Sequence, residues 1–101
     1  MASKRRVLIL PSAEEEVEAI ASYLTAFSNQ AARGFVEEYR KQLTLLESGV
    51  IDYGLSKLPE LASLGYHSCS VNRYVLLYYR EGDDIYIAHV FHQRQDYARL
   101  V

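Results

Sequence analysis

Residues 74–91 read YVLLYYREGDDIYIAHVF, and this stretch decides the fold. Two runs rich in aromatic and β-branched side chains, Tyr74–Tyr79 and Ile85–Phe91, flank Glu81-Gly82-Asp83-Asp84. The Gly-Asp pair has the chemistry of a tight hairpin turn, so the two runs predict paired antiparallel strands. Just upstream, Tyr66–Val71 forms a third such run and ends at Asn72-Arg73, a second tight turn. The C-terminal half therefore predicts a three-stranded meander.

Working outward toward the N-terminus, the period changes. Val7-Leu8-Ile9-Leu10 is a short apolar run closed by Pro11, which predicts a strand. Ser12-Ala13-Glu14-Glu15 has the form of a capping box, and Glu14, Glu15 and Glu16 suit the positive end of a helix dipole. Ala13, Val17, Ile20, Leu24 and Phe27 then recur at helical spacing and predict one apolar face. Ser28-Asn29 breaks that pattern and can cap a second helix, whose face is Ala32, Phe35, Val36, Tyr39, Leu43 and Leu46. Gly49 is a natural stop for it. So short a link makes the two helices an antiparallel hairpin. Residues 50–63 carry Gly54 and Pro59 with no clear period and read as a loop.

The element order is βααβββ, an α+β two-layer domain with a helical hairpin on one face of an antiparallel sheet. The helices can cover one face only, yet Val7–Leu10 and Tyr74–Tyr79 are apolar on both. Either the C-terminal tail or a partner must cover the second face.

Composition narrows the function classes. The 101 residues are half hydrophobic and 24% charged, an ordinary globular balance that predicts one domain over residues 1–101. Eleven basic against thirteen acidic side chains give a net charge of -2, which argues against a dedicated nucleic-acid binder and against direct sequence-specific DNA binding. A lone Cys69 excludes a disulfide-stapled scaffold. Lys4-Arg5-Arg6 precedes only four apolar residues, short of the roughly seven that a secretion signal needs, and no run approaches the roughly 20 of a membrane span. These features predict a cytoplasmic protein.

Few residues carry chemistry. His89 and His92 lie three apart on a strand, so their rings point to opposite faces and would not converge on a metal. Cys69 has no base beside it and reads as a small buried side chain. No phosphate-binding or dinucleotide motif is present, so no cofactor is expected. Nine tyrosines stand against no tryptophan; Tyr74, Tyr78 and Tyr86 are candidates for an aromatic platform on the open face of the sheet, or simply for half-buried strand positions. The tail, His92-Gln93-Arg94-Gln95-Asp96-Tyr97-Ala98-Arg99-Leu100-Val101, is the strongest constellation. His92 can relay a proton and Arg94 can hold a phosphate. Equally, Arg94 and Asp96 can pin the tail while Leu100 docks in the core.

Taken together, these residues resemble the ParE/RelE superfamily of bacterial type II toxins, over about residues 5–100. Val7-Leu8-Ile9-Leu10-Pro11-Ser12-Ala13-Glu14 is similar to that family's first strand and acidic helix. Gly65-Tyr66-His67-Ser68, Asn72-Arg73-Tyr74 and Leu77-Tyr78-Tyr79-Arg80 resemble its central strands, and His92-Gln93-Arg94-Gln95-Asp96-Tyr97 its closing H-x-R-x-D-Y signature. The resemblance implies the fold read above and a cognate antitoxin that wraps the toxin, in a plasmid-stabilisation or related addiction module. It implies one of two activities: RelE-like cleavage of mRNA on the ribosome, or ParE-like poisoning of DNA gyrase without enzymatic action.

RelE-like nucleases are strongly basic, with lysines in the strand after the helical hairpin. Here that strand, Tyr66–Val71, has none and the preceding loop has only Lys57. The resemblance therefore points to a gyrase poison. A RelE-like interferase using Arg94, His92 and Arg73 is the alternative, and a non-toxic partner-binding relic is a second. On the ParE-like reading, His92, Arg94, Asp96 and Tyr97 form the target surface. Leu8, Leu10, Tyr74, Leu76 and Tyr78 are then the expected antitoxin groove.

Overall fold

The structure is a computed structural model and describes residues 4–101. Strand β1 (Arg6–Ile9) leads through Leu10 into helix α1 (Pro11–Phe27). Ser28 alone separates α1 from helix α2 (Asn29–Glu47), which makes the helical hairpin. Ser28 closes one helix and opens the next: its N–H donates to the Leu24 carbonyl and its hydroxyl accepts from the Ala31 N–H. Gly49, at φ 75, supplies the left-handed residue that ends α2, as the sequence predicts.

Beyond α2, a loop holds one short helix, α3 (Pro59–Ala62), before strands β2 (His67–Val71), β3 (Tyr74–Glu81) and β4 (Asp84–His92). A single 3-10 turn, Tyr97–Arg99, lies in the tail. The meander is antiparallel, as expected, but the whole sheet is mixed. β1 adds in parallel beside β4, giving the order β1-β4-β3-β2 with Leu8 opposite Tyr86.

The capping box does not form. Leu10 occupies the N-cap with no side-chain cap, Pro11 takes the first helical position, and the Ser12 hydroxyl instead donates to the Ala88 carbonyl at 2.7 Å. Proline's missing N–H is one of the orphans of a helix start and its φ is already helical, so the helix starts at Pro11, two residues earlier than a Ser12 cap would set it. Leu10 also falls outside β1, although its N–H continues the pairing by donating to the Ile87 carbonyl at 2.9 Å.

The main core lies between helices and sheet. Phe35, Tyr39 and Leu46 of α2 meet Tyr74, Leu76 and Tyr78 of β3 and Ile85, Ile87 and Val90 of β4, with Val17, Ile20 and Leu24 of α1 packed against them. Phe27 leaves the predicted apolar face and stands 72% exposed. The second face of the sheet is covered in part by the protein itself. Leu61 of α3, Leu77 and Phe91 form a second cluster, joined by Leu58, Tyr66, Val75, Tyr97 and Ala98. The tail does fold back, but through Tyr97 and Ala98; Leu100, expected to dock, is exposed.

Candidate functional site

β3 begins where β4 ends, with Tyr74 opposite His92, and at that end of the sheet the tail departs. The tail turns at once. The Gln93 N–H donates to the Arg73 carbonyl, the Gln95 N–H to the His92 carbonyl, and the Arg94 N–H to His92 Nδ1, each at 3.0 Å. The Gln95 side chain returns the bond, its Oε1 accepting from the His92 N–H at 2.8 Å. Arg94 sits exposed at the tip of this turn.

Beside the turn lies a largely apolar groove of about 500 Å³, between the tip of the helical hairpin and the β2–β3 turn. Tyr23, Leu24 and Phe27 of α1, Phe35 of α2, and Arg73, Tyr74 and His92 line it. Its aromatics are arranged in edge-on pairs: Tyr23 against Phe27 at 4.9 Å, Phe35 against Tyr74 at 5.0 Å, and Tyr74 against His92 at 5.2 Å. Such pairs add to the area they bury because the positive ring edge meets a negative face. Asn72, at φ 56, makes the β2–β3 turn that puts Arg73 on the rim; a short polar side chain tolerates that left-handed backbone.

Four tail residues are expected to form one target surface, and the structure separates them. Arg94 is free. Tyr97 stacks on Phe91 at 6.3 Å and belongs to the second cluster. Asp96 pairs with Arg99 across 3.1 Å on the surface. His92 turns one ring nitrogen to the Arg94 backbone.

The expected antitoxin groove also divides. Leu76 and Tyr78 are fully buried and Tyr74 nearly so, all beneath the helices, because that face of β3 is the one the hairpin covers. They offer no platform or groove on the open face; of the three platform tyrosines, only Tyr86 lies there, stacked on Tyr79 at 5.1 Å. Leu8 and Leu10 are half-buried at the β1 side of the sheet. Tyr74 keeps a role as part of the wall of the hairpin-tip groove. Phe27 and Tyr23, which line that groove, are not legible as site residues in the sequence, since helical spacing assigns Phe27 to the core.

The two remaining histidines and the cysteine are engaged within the fold. His67 stacks on Tyr78 at 5.0 Å and donates from Nδ1 to the Tyr53 carbonyl at 2.6 Å. His89 donates to Glu16 at 3.1 Å. Burial, and then the Glu38 charge, push the Cys69 thiol up to about 12, so it holds a proton at neutral pH and is no nucleophile. Among the described residues, no group of three or more His, Cys, Asp or Glu is placed to hold a metal ion. No helix there is long and apolar enough to cross a membrane.

Comparison with known proteins bears on this geometry. The fold is similar to a solved structure described as the chromosomal ParDE TA system from P. aeruginosa, with a TM-score of 0.69 over 88% of this chain and 96% of that one. Sequence identity there is 15%, so the likeness is one of fold. Among curated proteins, no sequence matches. The family described as ParE toxin of type II toxin-antitoxin system, parDE, matches residues 7–97, from β1 to the turn that carries Tyr97, and the chain belongs to that family.

Proposed function

We propose that the chain is a toxin that poisons DNA gyrase by binding it, and that a cognate antitoxin neutralises it at the hairpin-tip groove. The observation that carries the reading is the surface itself: a free guanidinium on an ordered turn beside an apolar groove with two exposed aromatics. Arginine and aromatic side chains around a water-excluding pocket are the composition of a protein-binding hot spot. Tyr23 and Phe27 are 59% and 72% exposed, an arrangement that costs free energy unless a partner covers it. The net charge of -2 opposes docking on ribosomal RNA, where binding depends on neutralising phosphates. Fold likeness to a ParDE system supports a paired antitoxin as the covering partner.

The test is a cleavage assay with the purified chain, gyrase, ATP and supercoiled plasmid, scored for linear DNA after protein removal. Linear DNA should accumulate, should vanish when a cognate antitoxin is added, and should fall at least tenfold with Arg94→Ala, the size of a hot-spot loss. Supercoiling untouched by an excess of folded protein would reject gyrase. Cleavage of mRNA on ribosomes would then establish the interferase, and intact mRNA the inert relic.

A further inference from the structure

We propose that His92 is a positioning residue: its unprotonated Nδ1 accepts the Arg94 backbone N–H and fixes the turn that presents the Arg94 guanidinium. The proposal rests on the reading of Arg94 as the group that meets the target. The turn has three successive N–H groups after His92, and each has a different acceptor. Gln93 donates to the Arg73 carbonyl and Gln95 to the His92 carbonyl, both at 3.0 Å. Only the Arg94 N–H, in the middle, depends on a side chain, His92 Nδ1 at 3.0 Å. Accepting there leaves the imidazole neutral with its proton on Nε2.

A side-chain acceptor bonded to the N–H two residues on is the geometry by which asparagine and aspartate stabilise turns. Asparagine Oδ1 stands the same number of bonds from Cα as histidine Nδ1, whereas glutamine Oε1 stands one bond further out. His92 has a second contact, its ring edge on Tyr74 at 5.2 Å. Two substitutions separate the two contacts. His92→Asn keeps an acceptor and discards the ring; His92→Phe keeps a ring and discards the acceptor.

The experiment compares full-length parent, H92N, H92F and H92Q chains for growth arrest on induction and for exchange of the Arg94 amide by NMR. The parent's His92 tautomer is read from its ring nitrogens. The bare nitrogen should be Nδ1. H92N should stay within about threefold of the parent in exchange and in toxicity, while H92F and H92Q exchange about tenfold faster and lose toxicity in step, as expected for one hydrogen bond. Phe retaining function while Asn loses it, or a proton found on Nδ1, would overturn the assignment. If the parent is itself not toxic, the target reading fails, and the exchange order with the tautomer still decides the role of His92.

Discussion

Tyr78 shows how one hydroxyl can organise the end of a sheet. It is fully buried under the helices, yet its hydroxyl donates to Asp52 Oδ1 at 2.8 Å and accepts from the Tyr53 N–H at 2.9 Å. Asp52 in turn pairs with Arg80 at 2.5 Å, so the chain leaving α2 is tied to β3. Tyr78→Phe keeps the ring and leaves the Tyr53 N–H without its acceptor. The expected loss is about 1–3 kcal/mol, read as a shift in the urea midpoint with the slope unchanged. Burial alone would raise the Asp52 carboxyl, but the Tyr78 hydroxyl bond and the Arg80 charge outweigh it and hold the group below its ordinary 3.8. A carboxyl held low when folded adds stability above the unfolded value, and that stability drains as pH falls through the lower folded one. Asp52→Asn should therefore flatten the loss of stability below about pH 4 in an acid titration, relative to the parent. A parallel acid limb in both proteins would show that Asp52 contributes nothing to it.

At the scale of elements, α1 is fixed to β4 by its acidic first turns, through bonds no helix pattern reveals. β1 ends at Ile9, opposite Ile87, and at this level β4 carries an irregularity: Leu77 pairs with His89 but Tyr78 with Ile87, leaving Ala88 extra. Beyond β1, two α1 side chains one helical turn apart take over. Ser12 donates to the Ala88 carbonyl, and Glu16 Oε1 accepts from the Val90 N–H at 3.1 Å while its carboxylate also meets His89. Glu16→Ala should cost about 1–3 kcal/mol in thermal or urea unfolding, since it orphans a strand N–H and a histidine together. Glu16→Gln keeps an acceptor for Val90 and should cost less; Glu18→Ala, on the exposed side of the same helix, should stay within about 0.5 kcal/mol.

This clamp also marks where the sequence stops being legible. Ser12 and the glutamates after it signal a helix start, and the helix begins close by, at Pro11. That the Ser12 and Glu16 side chains also serve β4, Ser12 across 76 residues, depends on a bulge in β4, a tertiary feature with no local pattern. The three-strand meander and the helical hairpin are legible because period and turn residues are local. α3 is hidden because four residues are too few to show a period, although Pro59 with Glu60 behind it is a helix start. The parallel placement of β1 beside β4 is likewise a long-range choice, with no local pattern to announce it. In the candidate site, Arg94 and His92 are visible as residues, but not the turn that bonds one to the other.

On the scale of the whole molecule, the tail both packs on the second face of the sheet and forms the turn that carries exposed Arg94. The two tasks fall on different residues. Upstream, the His92–Gln95 turn is held by its own hydrogen bonds and by the Arg73 carbonyl, so its shape does not depend on the residues after it. Downstream, Tyr97 and Ala98 pack against the cluster of Leu61, Leu77 and Phe91. Tyr97→Ala should then lower stability by about 1–3 kcal/mol, through lost apolar area and the lost stack on Phe91, and the melting temperature should fall accordingly. Toxicity of the fraction still folded should remain near that of the parent when assayed well below that temperature. Arg94→Ala should show the reverse, an unchanged melting curve and a lost activity, because its side chain is exposed and has no partner among the described residues to lose. If Tyr97→Ala instead abolished activity with its melting curve intact, the ring would be part of the target surface and the tail would do both tasks with the same residues.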